Sequence, residues 1–306
     1  MKRSEINRAL KELEAMCEKH RCYLPPFCSF TPEQWQSAGH EYDEVRDCML
    51  GWDITDYGQG DFDKIGFSLV TIRNGNRAMA DKYPKVYAEK LLYLKEGQYS
   101  PNHFHWFKTE DIINRGGGNV LIRVYNSLPN EEIDYESDVT VHTDGRTYTV
   151  PAGTQIRLTP GESIFVQQYL YHDFSVEPGT GPVLLGEVSQ CNDDNTDNRF
   201  NPPMGRFPAI EEDAPPYRLL CDAFPAAKYG GVSNGCCGAW RTADRFYLRR
   251  HRRRRLSHHG GPPRRRAGQL PGGSDQVRRQ DRPAGQGGHR HLRPAPHRHP
   301  PDRRDR

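Results

Sequence analysis

The stretch Gly97-Gln98-Tyr99-Ser100-Pro101-Asn102-His103-Phe104-His105-Trp106-Phe107-Lys108-Thr109-Glu110-Asp111-Ile112-Ile113-Asn114-Arg115-Gly116-Gly117 decides how the rest of the chain is read. His103 and His105 are two residues apart, and side chains on a β-strand alternate faces, so both imidazoles are expected on one side of a strand. Glu110 follows within reach. Two imidazoles and one carboxylate suit a divalent transition metal such as manganese, iron, cobalt, nickel or zinc, and do not suit calcium, which takes oxygen donors. A fourth ligand has to come from elsewhere in the chain.

Outward from this stretch the periodicity is that of strands. Alternating or short apolar runs between Gly, Pro and Asn predict strands over 67–73, 87–94, 120–125, 139–142, 146–150, 155–158, 163–167, 172–176 and 183–189. Asp144-Gly145 between two such runs is a strong hairpin signal. No helix of crossover length separates the strands, which argues for an antiparallel barrel or a double-sheet jelly roll over 66–200, with its mouth as the natural ligand site.

The region before it, 1–65, reads as a helical lead-in. Ile6, Leu10, Leu13 and Met16/Cys17 recur at helical spacing behind Ser4 as cap. Thr31-Pro32-Glu33-Gln34 has the form of a capping box with Pro in the first turn. A further helical stretch near 41–50 can stop at Gly51. These elements are expected to cover one side of a sheet, and 201–227 to close the domain as a C-terminal segment.

Charge divides the chain in two. Residues 1–227 hold 22 Lys and Arg against 35 Asp and Glu, whereas 228–306 hold 21 against 5, so the net charge of +3 conceals an acidic body and a basic tail. The six cysteines of the body lack the paired spacing of a zinc ribbon or a redox Cys-x-x-Cys, and reduced thiols are expected. No run approaches the roughly 20 apolar residues that cross a bilayer, and residues 1–20 do not resemble a leader, so a soluble, cytoplasmic protein with no membrane partner is expected.

With the strands in place, Gly97, His103, His105, Glu110 and Gly117 match the fixed positions of the first cupin signature. Gly161 and His172 keep the eleven-residue interval of the second, although Gln167, Tyr169 and Val176 depart from its usual Pro, Gly and Asn. The resemblance implies a cupin double-stranded β-helix, a mainly β jelly-roll barrel, in which His172 is the fourth ligand.

Two charges interrupt apolar strands nearby. Lys90 sits in Glu89-Lys90-Leu91-Leu92-Tyr93-Leu94, where a buried cation is costly unless it meets an anion or a ligand. Glu187 follows Val183-Leu184-Leu185-Gly186; in a semi-apolar cavity such a carboxylate tends to a raised pKa, which suits proton transfer between carbons. Either could instead face solvent or a salt-bridge partner.

Longer strings narrow the resemblance. Phe104 through Gly118, Val150-Pro151-Ala152-Gly153, Leu158 through Ser163, Gly186-Glu187-Val188-Ser189, Asn192 through Phe200, Gly205-Arg206-Phe207-Pro208 and Glu211 through Cys221 are similar to the cupin-type D-lyxose ketol-isomerases, over essentially all of 1–227. That likeness implies a manganese-dependent aldose–ketose isomerase, cobalt or iron being possible substitutes, acting on D-lyxose and D-xylulose and also on D-mannose and D-fructose. Proton transfer through an enediolate would then fall to Glu187 with Lys90 beside it, and substrate contacts to Lys108, Asp193, Asp194 and Arg199. A homodimer is expected. Another metal-dependent cupin enzyme, such as a dioxygenase, or a non-catalytic sugar-binding cupin would share the ligands and remains the alternative.

After Ala227 the composition changes. Of the last 79 residues 20 are Arg and one is Lys, with Gly, Pro and His supplying much of the rest. Such a segment is expected to be disordered, because it holds too little apolar surface to offset the entropy of ordering. A nucleic-acid-binding arm would want aromatic residues for stacking, which are missing beyond Tyr247. Arg, Gly, Pro and Ala share GC-rich codons, so translation past a frameshift or across a foreign junction is the better reading.

Overall fold

The computed structural model describes residues 1–228; the expectations for the basic tail lie outside the described residues. Fourteen strands and three short-to-medium α-helices are found there. In chain order the helices are α1 (Arg3–Lys19), α2 (Pro32–Ser37) and α3 (Asp43–Asp47). The strands begin with β1 (Gly51–Thr55), β2 (Phe67–Arg73), β3 (Tyr87–Leu94), β4 (Tyr99–Phe104), β5 (Glu110–Gly117), β6 (Val120–Ser127) and β7 (Ile133–Asp134). They continue with β8 (Val139–Thr143), β9 (Arg146–Val150), β10 (Gln155–Leu158), β11 (Ser163–Val166), β12 (Tyr171–Val176), β13 (Val183–Gln190) and β14 (Arg199–Phe200).

One antiparallel sheet runs β1-β2-β3-β13-β5-β11-β8-β9 and the other β10-β6-β12-β4-β14, with β7 paired to β6. Neighbours are mostly not consecutive in the chain, as a jelly roll requires. The inner faces of the two sheets meet in one core that joins Leu69, Leu92, Leu94 and Leu185 to Ile122, Val124, Leu158 and Phe174. The protein is therefore the mainly β cupin barrel with N-terminal helices that the sequence led us to expect.

Helix α1 packs Ile6, Leu10, Leu13 and Met16 on the outer face of the larger sheet, against Trp52, Ile54, Val70, Leu91 and Leu184. Each fully buried Leu or Ile there contributes about 1.5–3 kcal/mol relative to exposure. The helix begins two residues earlier than its sequence suggests. Lys2 is the capping residue, its backbone N–H donating to the Glu5 carboxylate, while Ser4 donates from within the first turn to Asp213. The Thr31 box forms as expected, with Gln34 N–H donating to Thr31 Oγ1 and Thr31 N–H to Gln34 Oε1.

The lead-in is less helical than expected. The stretch near 41–50 is a 3-10 turn at His40–Tyr42 followed by the five-residue α3, and the chain leaves it through Met49 at φ 54. Strand β1 also falls inside 1–65. All five of its residues are buried, so it lacks the polar/apolar alternation that would have marked it. Strand β4 carries His103, as the spacing of the two histidines predicts, and β5 starts at Glu110. The glycines of the motif have a backbone reason to be there: Gly97 and Gly117 adopt φ of 93° and 94°, and a Cβ on Gly117 would stand 2.3 Å from the Pro182 carbonyl oxygen. At the predicted hairpin, Asp144 and Gly145 both have positive φ, as a tight β8–β9 turn demands. Among the described residues no helix is long and apolar enough to cross a membrane.

Candidate active site

The antiparallel pairing of β4 with β12 places His103 opposite His172. His105 lies one residue beyond the end of β4, and Glu110 opens β5 in the facing sheet. The three imidazoles converge, with one ring nitrogen from each lying within 4.8 Å of the others. All three rings are buried.

Their tautomers follow from the backbone. Each Nδ1 faces a carbonyl oxygen: His103 that of Pro101 at 2.8 Å, His105 that of Asp197 at 3.0 Å and His172 that of Leu170 at 3.0 Å. A carbonyl only accepts, so Nδ1 carries the proton and Nε2 presents a lone pair. The Nε2 atoms of His105 and His172 are buried and find no hydrogen-bond partner among the described residues. They point instead at Glu110 Oε1, at 3.4 and 3.2 Å. Lone pairs and a carboxylate oxygen held that close repel one another unless a cation lies among them, so the donor set fits a divalent metal.

The electrostatics favour the same state. Burial, reinforced by the neighbouring His172 and His105 rings, pushes His103 well below the ordinary imidazole range. Burial and the Lys108 ammonium likewise lower His105. Both are therefore neutral and able to ligate. Burial alone would raise Glu110, but Lys108 and His105 outweigh it and hold the carboxyl well below its usual range.

Around this cluster runs a chain of alternating charge, buried from Glu110 to Lys90 and half-buried at Asp194 and Arg206. Lys108 Nζ lies 2.7 Å from Glu110 Oε2 and 2.9 Å from Glu187 Oε1. Lys90 Nζ stands 3.5 Å from the same Glu187 oxygen and 3.6 Å from Asp194 Oδ1. Arg206 then joins Asp194, at 3.2 Å, to Asp53, at 2.5 Å. Cross-strand register explains the centre of the chain, since Glu187 of β13 sits opposite Lys90 of β3. Burial opposes the charge on Lys108, yet Glu110 and Glu187 raise its pKa well above the lysine range; it stays an ammonium. Asp194 is held far below the carboxylate range, Lys90 and Arg206 outweighing its burial.

Lys90 thus meets two anions rather than solvent. Glu187 departs from expectation, since its carboxylate is flanked by two ammonium groups instead of a semi-apolar wall. Its three close partners, Lys108, Lys90 and the Ser189 hydroxyl at 3.1 Å, all address Oε1. No hydrogen bond among the described residues engages Oε2.

His103, His105, Glu110, Lys90, Glu187 and Asp194 line one cavity of about 40 Å³, closed on its apolar side by Tyr57, Phe67, Phe174 and Phe200. Lys108 lines it as well. Two other expected substrate contacts lie elsewhere. The Asp193 carboxylate accepts from Asn195 N–H and the Thr196 hydroxyl, shaping its own turn beside a neighbouring cavity. Arg199 turns away to Glu132, at 3.1 Å, and Glu131, at 3.6 Å. Strand β14 is only two residues long, and its Phe200, not its Arg199, reaches the cavity.

Sequence reading passed over four residues that shape the site. Asp197 is buried; its carboxylate accepts the N–H groups of Phe107 and Lys108, and its carbonyl accepts from His105. Asn192 accepts from Lys108 Nζ at 3.1 Å. Asp53 and Arg206 complete the charge chain. Asp53 was detectable by the argument applied to Lys90, a charge inside the apolar run Trp52-Asp53-Ile54, whereas the other three lie in irregular segments where spacing carries no signal.

Comparison with known proteins adds the following. The family profile described as D-lyxose isomerase matches residues 1–224. The D-lyxose/D-mannose isomerase of Escherichia coli O157:H7 is 46% identical over 225 residues, covering 73% of this chain and 98% of that protein. That of Serratia proteamaculans is 45% identical over the same length and coverage. Among solved structures, the L-ribose isomerase of Cellulomonas parahominis with L-ribose aligns over 69% of this chain and 98% of its own, at 16% identity and a TM-score of 0.45.

Proposed function

We propose that this chain, which belongs to the D-lyxose isomerase family, interconverts D-lyxose with D-xylulose, and D-mannose with D-fructose, by moving one proton between carbons 1 and 2 of the open-chain sugar. The observation that carries this reading is Glu187, which lines one cavity with His103 and His105 and whose hydrogen bonds, from Lys108 and Ser189, both fall on Oε1.

His103, His105, His172 and Glu110 would hold a divalent cation, manganese by preference and cobalt or iron as substitutes, a choice that availability and geometry settle more than donor type. When bound, such a cation supplies polarisation of the sugar carbonyl and stabilises negative charge on the adjacent oxygens. The remaining work falls to the protein's own groups. Glu187 Oε2 takes the proton from C2 of the aldose and returns it to C1, while the hydroxyl proton passes from O2 to O1, so the ketose forms with no net gain or loss. Lys108 and Lys90 fix the carboxylate in place, and as cations close by they favour the anionic enediolate over the neutral sugar. Phe67, Phe174 and Phe200 keep that exchange away from bulk water.

Glu187→Gln tests the reading. The variant is expected to keep its fold and metal content while kcat on D-lyxose falls by about 10²–10⁴-fold, the usual weight of a proton carrier. Wild-type turnover of D-lyxose with manganese under anaerobic conditions separates the isomerase from an oxygen-dependent cupin enzyme. Unchanged turnover in the variant would remove Glu187 from the mechanism.

A further inference from the structure

Arg206 is pinned on one limb and free on the other. Its Nη2 donates to both Asp53, at 2.5 Å, and Asp194, at 3.2 Å. Its main-chain carbonyl accepts from the Thr55 hydroxyl at 2.5 Å, so the backbone is tied to β1 as well. Nη1, by contrast, is buried from solvent and has no acceptor among the described residues. Arg206 also lines the same cavity as His103, Lys90 and Glu187. A buried, permanently charged N–H₂ group without a partner costs more than an ordinary hydrogen bond returns, and is retained where an acceptor arrives with a ligand.

The order of groups along the wall says which part of the ligand that is. From the histidine cluster the sequence of contacts runs Glu110, Lys108, Glu187, Lys90, Asp194, Arg206. Asp53 lies one step beyond but does not line the cavity, so among the charged groups that do, Arg206 is the last in this order of contacts from the histidine cluster, beyond the proton carrier. Resting on the function proposed above, we infer that Arg206 is a substrate-binding residue whose Nη1 donates to a hydroxyl at the end of the sugar remote from carbons 1 and 2, with Asp53 as the positioning residue that aims it. The contact lets the site measure chain length: a sugar that fills it gains a charged hydrogen bond and satisfies a buried donor, whereas a shorter aldose does neither.

Arg206→Lys is the informative variant, because an ammonium keeps the charge facing Asp53 and Asp194 but loses the second limb of the fork. Loss of one charged hydrogen bond corresponds to about tenfold or more in affinity. The expected result is a KM for D-lyxose raised about tenfold or more, with kcat little changed and with kcat/KM on the aldotetrose of the same C2 and C3 configuration unaltered. Binding of the pentitol made by reducing D-lyxose, which cannot isomerise, is expected to weaken by the same factor in calorimetric titration. Asp53→Asn should give a smaller loss in the same direction. Equal loss on the pentose and the tetrose, or unchanged pentitol binding in a folded Arg206→Lys protein, overturns the inference. A wild-type enzyme that fails to isomerise D-lyxose overturns the function instead, so the two failures are told apart.

Discussion

Strands β3 and β13 pair along their length, and their inward-facing pairs change character halfway. Val183 faces Leu94 and Leu185 faces Leu92, four side chains that belong to the barrel core. Two residues further on, Glu187 faces Lys90. The backbone is the same continuous ladder throughout, and both ends are buried, so burial alone does not distinguish them. Apolar pairs at one end stabilise the fold by leaving water. At the other end, desolvation of each charge costs several kcal/mol that the ion pairs roughly offset, so a line of seven charges, five of them buried, is poor evidence for stability and better evidence for a task. The contrast teaches where the fold is made and where the proposed chemistry would be done, within one pair of strands.

Breaking the ionic end at its ligands has the largest expected effect. His172→Ala, or treatment of the wild type with a chelator, is expected to abolish isomerisation and to lower Tm in the chelated protein; metal content by elemental analysis and thermal melts with and without added manganese check this. Undiminished activity after complete metal removal would sink the ligand assignment.

At the apolar end, Leu94→Ala is expected to cost about 2–5 kcal/mol of stability by leaving a cavity. Metal content and KM should stay near the wild type below the melting transition. Denaturant melts beside steady-state assays separate the two readouts, and a loss of metal with no loss of stability would mean that the two ends are not independent.

A pH titration sharpens the comparison without touching a ligand. Asp194 has a depressed folded-state pKa, and a group of that kind contributes stability above its unfolded value of about 3.9, which is lost as pH falls through that value and toward the folded one. Wild-type Tm is therefore expected to fall more steeply between about pH 5 and 3 than that of Asp194→Asn, which lacks the titrating group. Parallel Tm curves would contradict it.

The smallest effect belongs to a charge outside the barrel. Arg199 pairs with Glu131 and Glu132, whose side chains are well exposed, and Arg199→Ala is expected to cost less than about 1 kcal/mol and to leave KM for D-lyxose unchanged. A rise in KM would return Arg199 to the substrate site.

Taken alone, the sequence determined the barrel and a donor set of His103, His105 and Glu110, which His172 joined only through the family resemblance. Period-two runs and Gly, Pro and Asp-Gly breaks report strand and turn directly, since side-chain alternation and positive φ are local properties of the backbone. Spacing also put His103 and His105 on one side, and a charge inside an apolar run singled out Lys90 and Glu187. Tertiary structure alone decided what those charges meet. Strand β1 was hidden because burial on both faces removes alternation, and the register that sets Glu187 against Lys90 depends on pairing residues 97 positions apart. Asp197, Asn192 and Arg206 come from irregular chain, where neighbours in sequence do not fix neighbours in space. For the same reason Asp193 and Asp194, adjacent in the chain, part company: one shapes a turn, and the other closes the line of charge that leads from Lys90 to Arg206.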